Sequence, residues 1–205
     1  MTEPFDGARW RGFIRDNTRL MAPPLVPEIV LHLAEESLPI WRKTEEELGE
    51  MNVPPPYWAF AWAGGQASAR YLLDRSQVVA GKRVLDLGAG PGLGAIAALK
   101  AGAAFALAAD IDRVALAAAA LNAEANGVRV ETIAEDLLAG PAPGGFDVVL
   151  VGDLFYEKAL AEAVGAFIQG ARSRGAEVLI GDPQRSYFPK GRFEEVAVYS
   201  VPVTR

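Results

Sequence analysis

Apolar positions change rhythm along this chain. Before about Asn52 they are irregular: an amphipathic stretch from Trp10 to Leu20, a Pro23-Pro24 break, a possible short strand at Glu28 to His32, then the acidic run Glu45-Glu46-Glu47. A stiff proline-led segment follows, Val53-Pro54-Pro55-Pro56-Tyr57-Trp58-Ala59-Phe60-Ala61-Trp62, carrying four aromatics within six positions. Beyond Gly64-Gly65 the spacing predicts a helix from Gln66 to Asp74. From Lys82 the pattern becomes regular. Short apolar runs at Val84–Leu87, Phe105–Ala109, Val128–Ile133, Asp147–Val151 and Glu177–Ile180 read as strands. Helical spacing fills the gaps at Leu93–Lys100, Arg113–Ala125 and about Glu157–Arg172. Asp112 suits the cap of the second of these helices, and Gly102 and Asn126-Gly127 suit helix stops. Strands alternating with helices predict an open, Rossmann-like α/β sheet whose ligands bind beyond the strand carboxyl ends. Residues 1–56 are expected to form an N-terminal extension on the substrate side, and residues 57–205 the α/β domain. No internal repeat is visible.

Composition narrows the chemistry. With 205 residues, 51% hydrophobic and 22% charged, the chain is long enough for one domain with a buried core. It lacks cysteine, so disulfides, zinc ribbons and thiol nucleophiles are excluded, and no metal site is expected. His32 is the only histidine, so a Ser-His-Asp triad would have to be built around it, and it reads as incidental. The balance of 20 basic to 26 acidic residues, with no Lys/Arg cluster, argues against nucleic acid and suits a cationic cofactor, a cationic substrate surface or simple solubility. No apolar run is long enough to span a bilayer, so no membrane partner is expected. The first residues lack the order of a signal peptide, and a cytoplasmic location is expected.

The candidate chemistry lies at the strand ends. The first regular strand runs into Asp86-Leu87-Gly88-Ala89-Gly90-Pro91-Gly92, a turn that lets a ligand lie against the backbone before a helix begins. The second ends at Asp110, 18 residues after Gly92, near the spacing at which a carboxylate meets ribose hydroxyls. The third leads to Glu135-Asp136-Leu137-Leu138 and the fourth to Gly152-Asp153-Leu154-Phe155-Tyr156. A dinucleotide-binding pattern can be forced onto Gly90-x-Gly92-x-x-Ala95. Asp86 separates the readings: it would repel a pyrophosphate and attract the ammonium and sulfonium of S-adenosylmethionine.

Val84-Leu85-Asp86-Leu87-Gly88-Ala89-Gly90-Pro91-Gly92 resembles the first motif of the seven-strand, class I S-adenosylmethionine-dependent methyltransferases, and the superfamily likeness spans about residues 57–182. Tyr57-Trp58-Ala59-Phe60-Ala61-Trp62-Ala63-Gly64-Gly65-Gln66, Gly152-Asp153-Leu154-Phe155-Tyr156 and Ile180-Gly181-Asp182-Pro183 carry a narrower resemblance, to the electron transfer flavoprotein beta-subunit lysine methyltransferase family. The resemblance implies a three-layer αβα fold around a seven-strand sheet. It also implies S-adenosylmethionine as cofactor and lysines of the electron transfer flavoprotein beta subunit as acceptors. In that frame Asp86 meets the methionine ammonium, Gly88, Gly90 and Gly92 allow close approach, and Asp110 accepts from the ribose hydroxyls. Asp112 competes for the ribose but already has a capping task. Asp136 approaches the adenine amino group and Trp62 packs beside the cofactor, while Trp58 and Phe60 are equally suited to plain core. Asp153 and Tyr156 are the expected catalytic pair, orienting the acceptor amine.

The seven-strand pattern needs two strands after Ile180. Phe193–Val201 is expected to supply one; the other is not legible before Arg205, and trimming or disorder is the expected reason. Three alternatives stay open on the residues alone: a methyltransferase for a small amine, a base or another protein; a nicotinamide-dependent oxidoreductase; and an inert module that keeps the pocket.

Overall fold

The computed structural model describes residues 7–34 and 55–202, so the run Glu45–Glu47 lies outside the described residues. The N-terminal part forms α1 (Gly7–Asn17) and an antiparallel pair, β1 (Arg19–Met21) with β2 (Leu31–Leu33). Next comes α2 (Ala63–Asp74), preceded by a single tight helical turn at Tyr57–Ala59. The regular region then gives β3 (Arg83–Leu87), α3 (Leu93–Lys100), β4 (Phe105–Ala109), α4 (Arg113–Ala125), β5 (Glu131–Ile133), β6 (Val148–Gly152), α5 (Lys158–Ser173) and β7 (Glu177–Gly181).

Strands β3 to β7 form one sheet in the order β5-β4-β3-β6-β7, every neighbouring pair parallel. The chain runs outward from β3 through β4 to β5, then returns to the other side of β3 for β6 and β7. That reversal opens a crevice beyond the carboxyl ends of β3 and β6, the usual ligand position in such sheets. Both faces of the sheet are covered, which is why the strands read as nearly continuous apolar runs. Alternate residues feed opposite layers. Val84, Val148 and Leu150 pack with Leu72 and Ile96 on one face. On the other, Leu85, Val149 and Val151 pack with Val164, Phe167 and Ile168 of α5.

Part of the N-terminal segment enters this core: Val26, Ile29, Leu31 and Leu33 are buried in the same cluster as Leu72 and Val84. Two amides, Asn122 of α4 and Asn126 just after it, hold it there. The Asn126 side chain accepts from Val30 N–H and donates to Val30 C=O, as a neighbouring strand would. Asn122, fully buried, accepts from His32 N–H at 2.7 Å and donates to the carbonyl of Pro91 at 2.8 Å.

The sheet departs from expectation at its far edge. Among the described residues it has five strands rather than seven, and residues 194–202 pair with nothing in a ladder. Period-two alternation is present there, with Ala197 and Tyr199 half-buried between exposed Val196 and Val198. Alternation alone makes an extended segment; a strand also needs a backbone partner. Among the described residues no helix is long and apolar enough to cross a membrane.

Candidate active site

A cavity of about 720 Å³ opens at the crevice, within the usual range for a small-molecule site. Asp86 lies at its base. Strand alternation puts its side chain on the same face as Val84, in the layer of α2 and α3, where Oδ2 accepts from Ala95 N–H at the start of α3 at 2.8 Å. The fit is close: a Cβ on Gly94 would stand 2.8 Å from that same oxygen. Burial pushes the Asp86 carboxyl up to about 7, with nearby Asp110 adding a smaller push in the same direction. A buried carboxylate under a cavity, with no cation beside it among the described residues, suits a positively charged ligand group.

Three glycines shape the turn above Asp86, each with positive φ. Gly88, at φ 65, lies against Leu154, which a Cβ would meet at 2.9 Å. Gly90, at φ 51, lines the cavity and donates its N–H to Asp110 Oδ2 at 2.9 Å. Gly92 differs from the expectation that grouped it with them. It is outside the cavity lining, and a Cβ there would meet Ala119 Cβ of α4 at 2.8 Å, so its smallness serves helix packing.

Asp110, at the end of β4, accepts from Asp112 N–H as well as from Gly90, and burial raises its carboxyl. Asp112 caps α4, accepting from Val114 N–H at 2.8 Å, and burial pushes it up to about 6. Asp136 is exposed at the cavity rim and caps the turn Leu137–Ala139 by accepting from Leu138 N–H at 3.0 Å. Trp62, 38% exposed, stands on the opposite wall, fixed by its indole N–H to the Tyr57 carbonyl at 2.9 Å. Trp58 is 1% exposed and belongs to the core under α1 and α4. His32 is half-buried, its Nδ1 3.1 Å from Thr18 Oγ1 and its titration lowered by burial, and it is not part of the cavity.

Asp153 and Tyr156 occupy the end of β6. Asp153 is buried and holds a left-handed backbone at φ 59, an uncommon conformation outside glycine that Asp tolerates better than most residues. Its carboxylate is fixed at both oxygens. Oδ2 accepts from Gly65 N–H in the first turn of α2, and Oδ1 pairs with Arg185 Nη2, each at 2.8 Å. Tyr156 is half exposed, its ring 6.3 Å from that of Tyr57, and burial raises its phenol.

The structure therefore gathers Trp62, Asp86, Gly88, Gly90, Asp110, Asp136, Asp153 and Tyr156 around one cavity. It also adds residues that motif reading missed. Arg185 follows β7, three positions beyond Asp182, whose Oδ1 accepts from Arg185 N–H at 2.7 Å. Asp182-Pro183 after a strand was the available signal for a turn that returns to the site. Gly64 is the second: a Cβ there would collide with the Gly181 carbonyl, so α2 approaches β7 only because both positions are glycine.

A parallel α/β sheet with a carboxylate-floored, glycine-framed cavity at its reversal point suits S-adenosylmethionine, and the relatives of this chain show the class, an S-adenosylmethionine-dependent methyltransferase. A family model described as ribosomal protein L11 methyltransferase (PrmA) matches residues 69–160. The electron transfer flavoprotein beta subunit lysine methyltransferase of Danio rerio is 42% identical over 180 residues, covering 87% of this chain and 69% of the relative. Its Xenopus laevis counterpart is 42% identical over 181 residues, covering 87% and 72%. A solved ribosomal protein L11 methylase from Lactobacillus delbrueckii subsp. bulgaricus aligns at 29% identity and a TM-score of 0.47, over 58% of this chain and 60% of its own. The chain belongs to the electron transfer flavoprotein beta subunit lysine methyltransferase family.

Proposed function

We propose that this enzyme methylates lysine side chains of a protein, the beta subunit of electron transfer flavoprotein, using the pocket between β3, β4 and β6 for the cofactor and the Asp153–Tyr156 end for the amine. The name of the relatives supports the acceptor. The observation that carries the site reading is Asp153, a buried carboxylate held rigidly at the cavity mouth by Gly65 and Arg185.

When bound, S-adenosylmethionine supplies a methyl group on a positively charged sulfur. The chain's own contribution is positional and electrostatic. Asp86 would hold the ammonium of the cofactor, Gly88 and Gly90 would let it lie close against the turn, and Asp110 would accept from the ribose hydroxyls. Asp136 would approach the adenine amino group, and Trp62 would pack beside the cofactor. Asp153 accepts a hydrogen bond from the acceptor amine, and the Tyr156 phenol orients the same nitrogen. The amine arrives as an ammonium and releases its proton to water before its lone pair is used. A cytoplasmic location and a partner that is neither nucleic acid nor membrane remain parts of this reading, consistent with the net charge of −6.

The test is to incubate the purified chain with labelled S-adenosylmethionine and recombinant electron transfer flavoprotein, then map methyl groups by mass spectrometry. Label on beta-subunit lysines, lost in Asp153→Ala, supports the proposal. Tight cofactor binding without label on that protein would replace its acceptor.

A further inference from the structure

The proposed acceptor reacts only as a free amine, yet an isolated carboxylate beside a lysine favours the ammonium form and raises the pH needed to remove its proton. Asp153 is not isolated. Its Oδ1 is paired with Arg185 Nη2 at 2.8 Å, and the two side chains are 10% and 25% exposed. The guanidinium lies 5.7 Å from the Trp62 ring centroid, so it sits between the carboxylate and the aromatic wall of the cleft. Its departure point from the chain is fixed, because Arg185 N–H donates to Asp182 Oδ1. It also acts electrostatically on Tyr156.

We infer that Arg185 is a positioning residue for methyl transfer: it neutralises Asp153, leaving a fixed hydrogen-bond acceptor that orients the incoming amine without holding the proton on it. This rests on the reading that the acceptor nitrogen enters beside Asp153. Among the described residues, the other titratable groups acting on Tyr156 are Tyr57, Asp110 and Glu157, Asp182 lies beside Arg185 and Asp153, and Asp86, Asp112, Glu135 and Asp136 line the same cavity. The carboxylates, when ionised, favour the ammonium, and Arg185 is the cation among the described lining residues that opposes them. The step balances without a further reagent. The ammonium proton leaves to water, then the nitrogen lone pair forms the N–C bond as the C–S bond breaks, and the sulfur departs as a neutral thioether.

The test is the pH dependence of kcat with electron transfer flavoprotein as acceptor and saturating cofactor, for the wild type, Arg185→Met, Arg185→Gln and Arg185→Lys. Removing the charge is expected to move the acidic limb up by about one pH unit, so the rate at pH 7 falls roughly tenfold and recovers by about pH 9. Arg185→Lys, which keeps the charge, is expected to return the limb to its wild-type position. Cofactor affinity is expected to stay within about twofold in all three. Calorimetry of acceptor binding in two buffers of different ionisation enthalpy gives an independent readout: the wild type is expected to release more protons per acceptor bound than Arg185→Met. A rate loss equal at every pH, or unchanged proton release, overturns the inference and leaves Arg185 a structural role. Should Arg185→Met not fold, Arg185→Gln carries the same expectation. Asp153→Ala, which removes the acceptor oxygen, separates the two levels. If it transfers methyl at the wild-type rate, the acceptor reading itself falls; if it is slow while the limb in Arg185→Met does not move, only the inference about Arg185 falls.

Discussion

The two ends of the cavity are built differently. At the β3–β4 end, carboxylates are held by backbone N–H groups from the turns that follow them: Asp86 by Ala95, nine residues on, Asp110 by Asp112, two residues on, and Gly90 returning to Asp110 across 20. At the β6 end, Asp153 is held by Gly65, 88 residues earlier, and by Arg185, 32 residues later. The first end is a local device that the chain forms wherever that strand and turn occur. The second exists only once α2, β6 and the turn after β7 have come together. The electrostatics differ as well. Asp86 and Asp110 are carboxylates whose burial raises their titration, Asp86 suited to a positive group and Asp110 to hydroxyl donors, whereas Asp153 is paired with a cation. This suits a cofactor end that captures charge and an acceptor end that keeps charge from building up.

Substitutions at the two ends should therefore fail in different ways. The largest effect is expected at Asp153. Asp153→Ala removes the carboxylate that orients the amine and should lower kcat by about 10²–10³-fold, measured with labelled cofactor. Next comes Asp86. Asp86→Asn loses the charge under the methionine ammonium and should weaken cofactor binding by roughly 10–100-fold in calorimetry, the scale of one hydrogen bond to a charged group.

The pH dependence of that binding sharpens the contrast. With Asp86 pushed up to about 7 by burial, the cofactor-free protein must lose a proton there before the ammonium is held. Wild-type affinity should fall by up to about tenfold per pH unit below 7 and level off above it, while Asp86→Asn should lack this component. Stability of the cofactor-free chain should run the opposite way. The folded state keeps a proton on Asp86 between about 3.8 and 7 that the unfolded state has lost, so this contribution is present at low pH and lost as pH rises through 7. At pH 8, Asp86→Asn should consequently unfold at higher denaturant than wild type.

A smaller effect, about tenfold in cofactor affinity, is expected for Gly94→Ala, whose Cβ would stand 2.8 Å from Asp86 Oδ2 and displace it. The smallest is expected at Asp136. It is exposed and caps only one short turn, so Asp136→Ala should change affinity by no more than about threefold.

The same contrast explains what could be read from the chain before folding. The alternation after Lys82 is dictated by burial on both sheet faces, so β3, β4 and β6, and the carboxylates at their ends, were legible. The β5 prediction was longer than the observed Glu131–Ile133, because Val128 and Val130 are apolar through packing against the core rather than through pairing. Residues 193–201 carry the rhythm of a strand without a partner, and rhythm reports burial, not hydrogen bonding. Asp153 and Tyr156 were legible by resemblance. Arg185 was not: Asp182-Pro183 after β7 signals a turn back toward the site, but it does not show that this turn sets the guanidinium on Asp153. Gly92 was legible only as a turn glycine: its neighbours touch the cavity, while its own missing side chain makes room for Ala119.

The most direct test of a cavity with two separable ends pairs cofactor binding with methyl transfer in Asp153→Ala and Asp86→Asn. Asp153→Ala is expected to bind S-adenosylmethionine with near wild-type affinity and to transfer almost no methyl, while Asp86→Asn is expected to bind weakly but regain much of its transfer rate at saturating cofactor. Parallel loss of binding and transfer in Asp153→Ala, with the chain still folded, would contradict that separation.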